Sequence, residues 1–172
     1  MKLNLKNLLC GLVAVASMVQ FAQSQSFVAH APGSQAFNQP SGVTQRDPAT
    51  PREEETVTVY FRVGYQFQYS SVAMYYTTDG TVPAGNIGFG SGTTVALANF
   101  RNQVQFVANE NTPQGVVDWW RVTLPVNTRD YGKRIRYFFQ AWGATTQASS
   151  GQFEFTNKIA WPGRGSGNPN PN

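Results

Sequence analysis

Two carboxylates are all that glycoside hydrolysis requires, so Asp79, Glu110, Asp118, Asp130 and Glu154 are the first residues to weigh for chemistry. Each has a plainer place. Asp79 opens a turn with Gly80, Glu110 and Asp130 fall in loops, and Asp118 and Glu154 are single charges on or beside strands. Nucleophilic catalysis is less well supplied. His30 is the one histidine and precedes the strand-rich region, while Cys10, the one cysteine, sits in an apolar leader; neither a Ser-His-Asp nor a Cys-His arrangement has its parts. No His/Cys spacing suits zinc, no run of clustered acids suits calcium, and the Gly-rich residues 85–92 lack the Lys and helix of a phosphate cradle. The expectation is a chain with no enzyme activity, no cofactor and no metal.

The chemistry that remains is that of rings and guanidinium groups. Period-two sorting of residues 116–124 sends Trp120, Val122 and Leu124 to one face and Trp119, Arg121 and Thr123 to the other. Residues 134–142 sort alike, with Ile135, Tyr137, Phe139 and Ala141 inward and Arg134, Arg136, Phe138, Gln140 and Trp142 outward. The short connection 125–133 predicts that the two strands pair as antiparallel neighbours. That pairing gathers Trp119, Arg121, Arg136, Phe138 and Trp142 on one surface, joined by Tyr60, Arg62 and Tyr75 if their strands share the sheet. Flat rings beside Arg and Gln suit sugar stacking, since pyranose C–H faces lie on rings while hydroxyls take planar hydrogen bonds. The same rings also serve as cross-strand packing, as cation–π partners, as the seat of a covering arm, or as a surface for a protein partner.

These surfaces need strands to carry them, and the chain is built for strands. Its 172 residues hold 16 Gly, 10 Pro, 13% aromatics and only 13% charged residues, a composition of short strands and many turns in one domain. Strands are predicted at 56–63, 72–78, 94–98, 103–108, 116–124, 134–142 and 152–156, about seven in all, with no helix-period segment beyond the leader. The fold expected is an all-β, immunoglobulin-like antiparallel β-sandwich over 56–157.

The flanks differ. Lys2 and Lys6 precede an apolar run from Leu8 to about Val19 and a small-x-small site at Ala22-Gln23-Ser24, the pattern of a signal peptide over 1–24 and too short for a membrane span. Its removal leaves 11 basic against 9 acidic residues, a net of +2, and no disulfide; neither nucleic acid nor a transmembrane anchor is expected for the mature chain. Residues 25–55 read as a polar linker or loosely draped arm, and 158–172 as a flexible Gly/Pro/Asn tail. An extracellular, cell-surface or periplasmic location follows.

Three segments carry a resemblance. Tyr75-Tyr76-Thr77-Thr78-Asp79-Gly80-Thr81-Val82-Pro83, Asp118-Trp119-Trp120-Arg121-Val122-Thr123-Leu124-Pro125 and Arg134-Ile135-Arg136-Tyr137-Phe138-Phe139-Gln140-Ala141-Trp142 resemble the early-set immunoglobulin-like modules that adjoin bacterial α-amylase-family glycosidases, over about 56–156. The resemblance implies a module that binds starch-like glucans or supports a neighbouring catalytic domain, with Trp119 and Trp142 as sugar contacts. No catalytic domain is expected in this chain, so polysaccharide degradation is not carried over. The leading expectation is an exported, non-catalytic module for polysaccharide, with Trp119, Trp142, Phe138, Tyr75, Arg121 and Arg136 as its site. The alternative is a structural or assembly protein of the cell envelope or extracellular matrix, whose partner is another envelope protein.

Overall fold

The structure is a computed structural model that describes residues 27–160; the signal peptide read over 1–24 and most of the predicted tail lie outside these residues. In chain order the strands are β1 (Phe27–Ala29), β2 (Arg46–Asp47), β3 (Thr58–Gly64), β4 (Ser71–Thr77), β5 (Ala84–Asn86), β6 (Phe89–Ser91), β7 (Val95–Ala98), β8 (Val104–Thr112), β9 (Gly115–Thr123), β10 (Arg134–Trp142), β11 (Gln147–Ser149) and β12 (Phe153–Thr156). Two short 3-10 turns, Asn99–Arg101 and Val126–Thr128, are the helical elements among the described residues. One sheet has the order β1-β3-β9-β8 with β2 also on β3; the other has the order β11-β10-β4-β7 with β12 also on β10; β5 and β6 form a separate hairpin. Every strand pairing is antiparallel. The chain is an all-β sandwich, and each of the seven predicted strands is present.

Parity sorts the core as alternation requires. Val59, Phe61 and Val63 of β3 and Val122 of β9 face Met74 and Tyr76 of β4 and Ile135, Tyr137, Phe139 and Ala141 of β10. Phe61 stacks on Phe139 across the sheets, with centroids 4.3 Å apart and planes at 17°. With no thiol in the described residues, this interdigitation is the main source of stability, and truncating either ring to Ala costs about 3–5 kcal/mol.

Two expectations are corrected. Strands β9 and β10 do not pair: β9 lies between β3 and β8, and β10 lies against β4, β11 and β12. A ten-residue connection, 124–133, spans from one sheet to the other as easily as it turns within a sheet, and here it arches across the sandwich end, anchored by the buried Thr128. The described part of 25–55 is not loosely draped. β1 and β2 both extend the edge at β3, pairing with Arg62–Gly64 and with Thr58 and Val59, and Val28, Ala36 and Gln45 are buried. Strands of two or three residues are too short to show a period.

His30 fixes that segment to both sheets. Its Nδ1 lies 2.7 Å from the Tyr60 carbonyl oxygen and its Nε2 lies 3.0 Å from the Tyr137 hydroxyl. A carbonyl only accepts, so Nδ1 carries the hydrogen and Nε2 accepts from Tyr137. The ring packs edge-on to Phe139 and Phe153, with centroids 5.2 and 4.7 Å away. Burial lowers its pKa from 6.5 to about 4, helped by the nearby Arg46 charge and opposed by the Tyr60 carbonyl. Burial likewise pushes the Tyr137 phenol up to about 12.

Between pH 6.5 and about 4 the unfolded chain therefore binds a proton that the folded chain refuses. Stability present above that window is lost as pH falls through it, at up to about 1.4 kcal/mol per pH unit. Urea unfolding across the window checks this against His30→Gln, which loses about 1–3 kcal/mol at neutral pH and shows a shallower acid decline. Equal declines in both proteins refute the assignment.

Candidate functional site

On the outer face of the first sheet, Tyr60 pairs with Arg121 and Arg62 with Trp119, as alternation expects. The rings are covered. Phe37 stacks on Trp119 with centroids 5.9 Å apart and planes at 18°, Ala36 packs in the same cluster, and Trp119 is only 4% exposed. Its indole N–H donates to Glu110 Oε2 at 2.8 Å, and Arg62 lies 3.8 Å from the same oxygen. Arg121 is exposed and donates through Nε and Nη2 to Gln105 Oε1 at 3.1 and 2.9 Å. Trp119 is thus the floor under residues 36–43 rather than an open platform.

The outer face of the second sheet is covered differently. Tyr75 and Phe138 are cross-strand neighbours, stacked at 4.7 Å and 9°, and both are buried. The β5–β6 hairpin folds over them. The Tyr75 hydroxyl accepts from the Gly88 N–H at 2.6 Å and donates to Gln140 Oε1 at 2.9 Å, and the Ile87 N–H donates to the same Gln140 oxygen at 2.8 Å. Gln140 Nε2 and Gln147 Nε2 both donate to Asn86 Oδ1, at 3.1 and 2.8 Å. Gly85 is required here because a β-carbon would sit 2.5 Å from the Tyr75 ring. Burial pushes the Tyr75 pKa up, partly offset by the Gly88 N–H and the Arg101 charge. Arg136 is half-buried, 3.5 Å from Glu154 Oε2 and donating to the Gly80 carbonyl at 3.4 Å.

What the hairpin leaves open is a rim at its edge. Trp142 is half-buried, and Phe100 meets it edge-on at 6.2 Å and 78°. Phe100 is 51% exposed and Phe89 64%. The Arg101 guanidinium lies 4.9 Å from the Phe100 centroid and 5.2 Å from that of Phe89, and its Nη1 donates to the Gly88 carbonyl at 3.0 Å. Gln147 pairs across the strands with Trp142, so its exposed amide and that of Asn86 border the same rim.

Of the six expected site residues the structure thus brings Trp142, Phe138, Tyr75 and Arg136 to one sheet face and Trp119 and Arg121 to the opposite one. They do not form one surface, because β9 and β10 lie in different sheets. Phe89, Phe100, Arg101, Asn86 and Gln147 were not expected. The available signal was two apolar residues, Ile87 and Phe89, inside a glycine-rich run, which is costly in a free loop and sensible in a packed hairpin.

The five carboxylates serve local structure. Asp79 accepts from Thr81 N and Oγ1 at 2.9 and 2.6 Å, Asp118 from Asn109 Nδ2 at 2.6 Å, and Glu110 from Trp119. Asp130 pairs with Lys133 and Glu154 with Arg134, both at 2.8 Å. Burial raises the Asp118 pKa against its Asn109 hydrogen bond. Among the described residues no three His, Cys, Asp or Glu side chains gather as metal ligands, and no helix is long and apolar enough to cross a membrane.

No protein-family model matches the chain, and no curated protein matches it. Among solved structures it is similar to an uncharacterized protein, lmo2446 from Listeria monocytogenes EGD-e, in complex with α-D-glucose, β-D-glucose, magnesium and calcium. The identity is 18%, the TM-score 0.47, and the match covers 76% of this chain and 10% of that one. The chain thus spans about a tenth of the length of that protein.

Proposed function

We propose that the chain is an exported, non-catalytic binding module whose ligand is a carbohydrate, taken at the rim of Trp142, Phe100 and Phe89. The observation that carries this reading is that Phe89 and Phe100 stand more than half in water on a frame that is internally hydrogen-bonded. A flexible loop would lose side-chain entropy on capturing a sugar, whereas this frame has already lost it. The rings offer apolar faces to pyranose C–H groups, and the Asn86 and Gln147 amides offer planar partners to hydroxyls.

Co-sedimentation with insoluble starch, cellulose, chitin and xylan tests the reading. At least one polymer retains the wild-type protein, and a Trp142→Ala, Phe100→Ala double variant is retained about tenfold less, a loss of about 1.4 kcal/mol. Gly85→Ala, which displaces the hairpin without touching an exposed ring, weakens retention as well, while Trp119→Phe leaves it unchanged. Retention by none of the polymers, or equal retention of the double variant, sinks the idea.

The second reading, a structural or assembly protein of the envelope or matrix, is favoured by β8. This nine-residue strand has β9 as its neighbour on one side only. Leu124 N–H donates to Val57 O, and Tyr60 N–H points away from β9 to Gln45 O; this phase turns the Trp119 and Arg121 backbone toward β8. By alternation the Asn109 and Asn111 backbone groups of β8 then face outward, beside a half-exposed Phe106, where a further strand is able to add. Sedimentation velocity over a concentration series separates the readings. A concentration-dependent oligomer that Asn111→Pro abolishes supports assembly, and a monomer throughout excludes it.

A further inference from the structure

Charge is distributed unevenly along this chain, and the rim at Trp142 lies where it is sparsest. Residues 80–109 carry one charged side chain, that of Arg101, and residues 63–78 and 137–153 carry none. These segments supply β4, β5, β6, β7, β11 and most of β10, so Arg101 is their sole formal charge. No carboxylate among the described residues pairs with it. Glu110, Asp130 and Glu154 form their ion pairs with Arg62, Lys133, Arg134 and Arg136 instead.

The Arg101 side chain is exposed, yet its guanidinium is fixed in place. It lies over the Phe89 and Phe100 rings, 5.2 and 4.9 Å from their centroids, and its Nη1 donates to the Gly88 carbonyl at 3.0 Å and the Ala96 carbonyl at 3.4 Å. Holding the hairpin uses that one nitrogen. Nε and Nη2, which form another edge of the planar fork, make no hydrogen bond within the described chain. Two parallel N–H groups on a cation match the two oxygens of a carboxylate. A hydroxyl offers them a single oxygen and leaves the charge without a partner. The contacts to two rings and two carbonyls have already taken up the rotamer freedom that an arginine otherwise loses on binding.

We infer that the Nε and Nη2 edge of Arg101 receives the carboxylate of a uronic acid, so that the glycan held at this rim is one that carries acidic sugars. The inference rests on the carbohydrate reading of the rim and narrows it: the rings hold the neutral part of the polymer, and Arg101 holds the acid. An exposed ion pair is ordinarily worth a factor of a few, and a side-on pair on a fixed guanidinium falls at the upper end, so the expected gain is about fivefold.

Calorimetric titration of the protein with glucuronoxylan, polygalacturonate and alginate, each beside its carboxyl-reduced counterpart, tests this, with dextran sulfate beside dextran. At least one uronate polymer binds about fivefold tighter than its reduced form, and the difference shrinks as salt is raised. Arg101→Gln removes the difference, and Arg101→Lys, which keeps the charge and loses the fork, removes most of it. In the wild-type protein, where no variant disturbs the hairpin, the Arg101 Nε–H resonance moves on adding the uronate form and stays in place on adding the reduced one. Equal binding of every acidic polymer and its reduced form overturns the acidic ligand and leaves the rim standing. A difference that survives Arg101→Gln overturns the role of Arg101, and tighter binding confined to dextran sulfate overturns the carboxylate. Binding to no polymer, acidic or neutral, overturns the rim and this assignment together.

Discussion

Two packed sheets bury one face of each against the other, and this chain places large rings on the remaining faces as well. An exposed pair such as Tyr75 and Phe138, or a bare Trp119, leaves a contiguous apolar patch on each side of the molecule. Both patches are closed by chain that leaves the sheets and returns. On the first sheet, residues 30–45 depart after β1 and rejoin at β2, carrying Ala36 and Phe37 onto Trp119. On the second, the β5–β6 hairpin lies over Tyr75 and Phe138, held by Gln140 and the Tyr75 hydroxyl. The molecule is in effect a four-layer object with a main core and two satellite cores.

The two covers are secured by different physics. The hairpin is pinned through neutral hydrogen bonds whose groups do not titrate near neutral pH. The first-sheet cover hangs on His30, whose ring reaches between the sheets and works only as a neutral imidazole with one defined tautomer. Burial keeps it neutral, so the proton that burial excludes becomes the weak point of that cover in acid. Arg46 adds a second tie nearby, with its guanidinium over the Phe155 ring at 5.3 Å and donating to the Ala49 and Glu154 carbonyls.

Period-two alternation was readable because it is a property of single strands. It placed Ile135, Tyr137, Phe139 and Ala141 inward and Trp119, Phe138 and Trp142 outward, as the structure has them. Which strands become neighbours is a property of pairs, and the ten-residue link between β9 and β10 is compatible with a hairpin and with an arch. The polar run Asn109-Glu110-Asn111 looked like a loop, yet it continues β8, because Asn109 bonds Asp118 and Glu110 bonds Trp119 across the ladder. β1, β2, β5, β6 and β11 are too short for any period, and they exist because a longer strand or a ring surface was there to receive them. The site suffered most from this. Exposure of an aromatic residue depends on what covers it, and both covers are made from segments without a pattern of their own.

The rings that remain open are those the covers do not reach, and their positions follow from how the covers end. The hairpin turns at Ile87 and Gly88, and Gly88 lies directly against Phe100 and Trp142, where a β-carbon would come within 2.6 Å of the Phe100 ring. The hairpin therefore props Phe100 and Trp142 rather than burying them, and Arg101 locks Phe89 beside them. At the other end, Asn157 Nδ2 ties down the arch between the sheets through the Thr128 and Asp130 carbonyls, and Tyr131 stands exposed on it. In both places an exposed aromatic ring stands on backbone that closes the sandwich, so an open ring surface arises without any residue being diverted from the core.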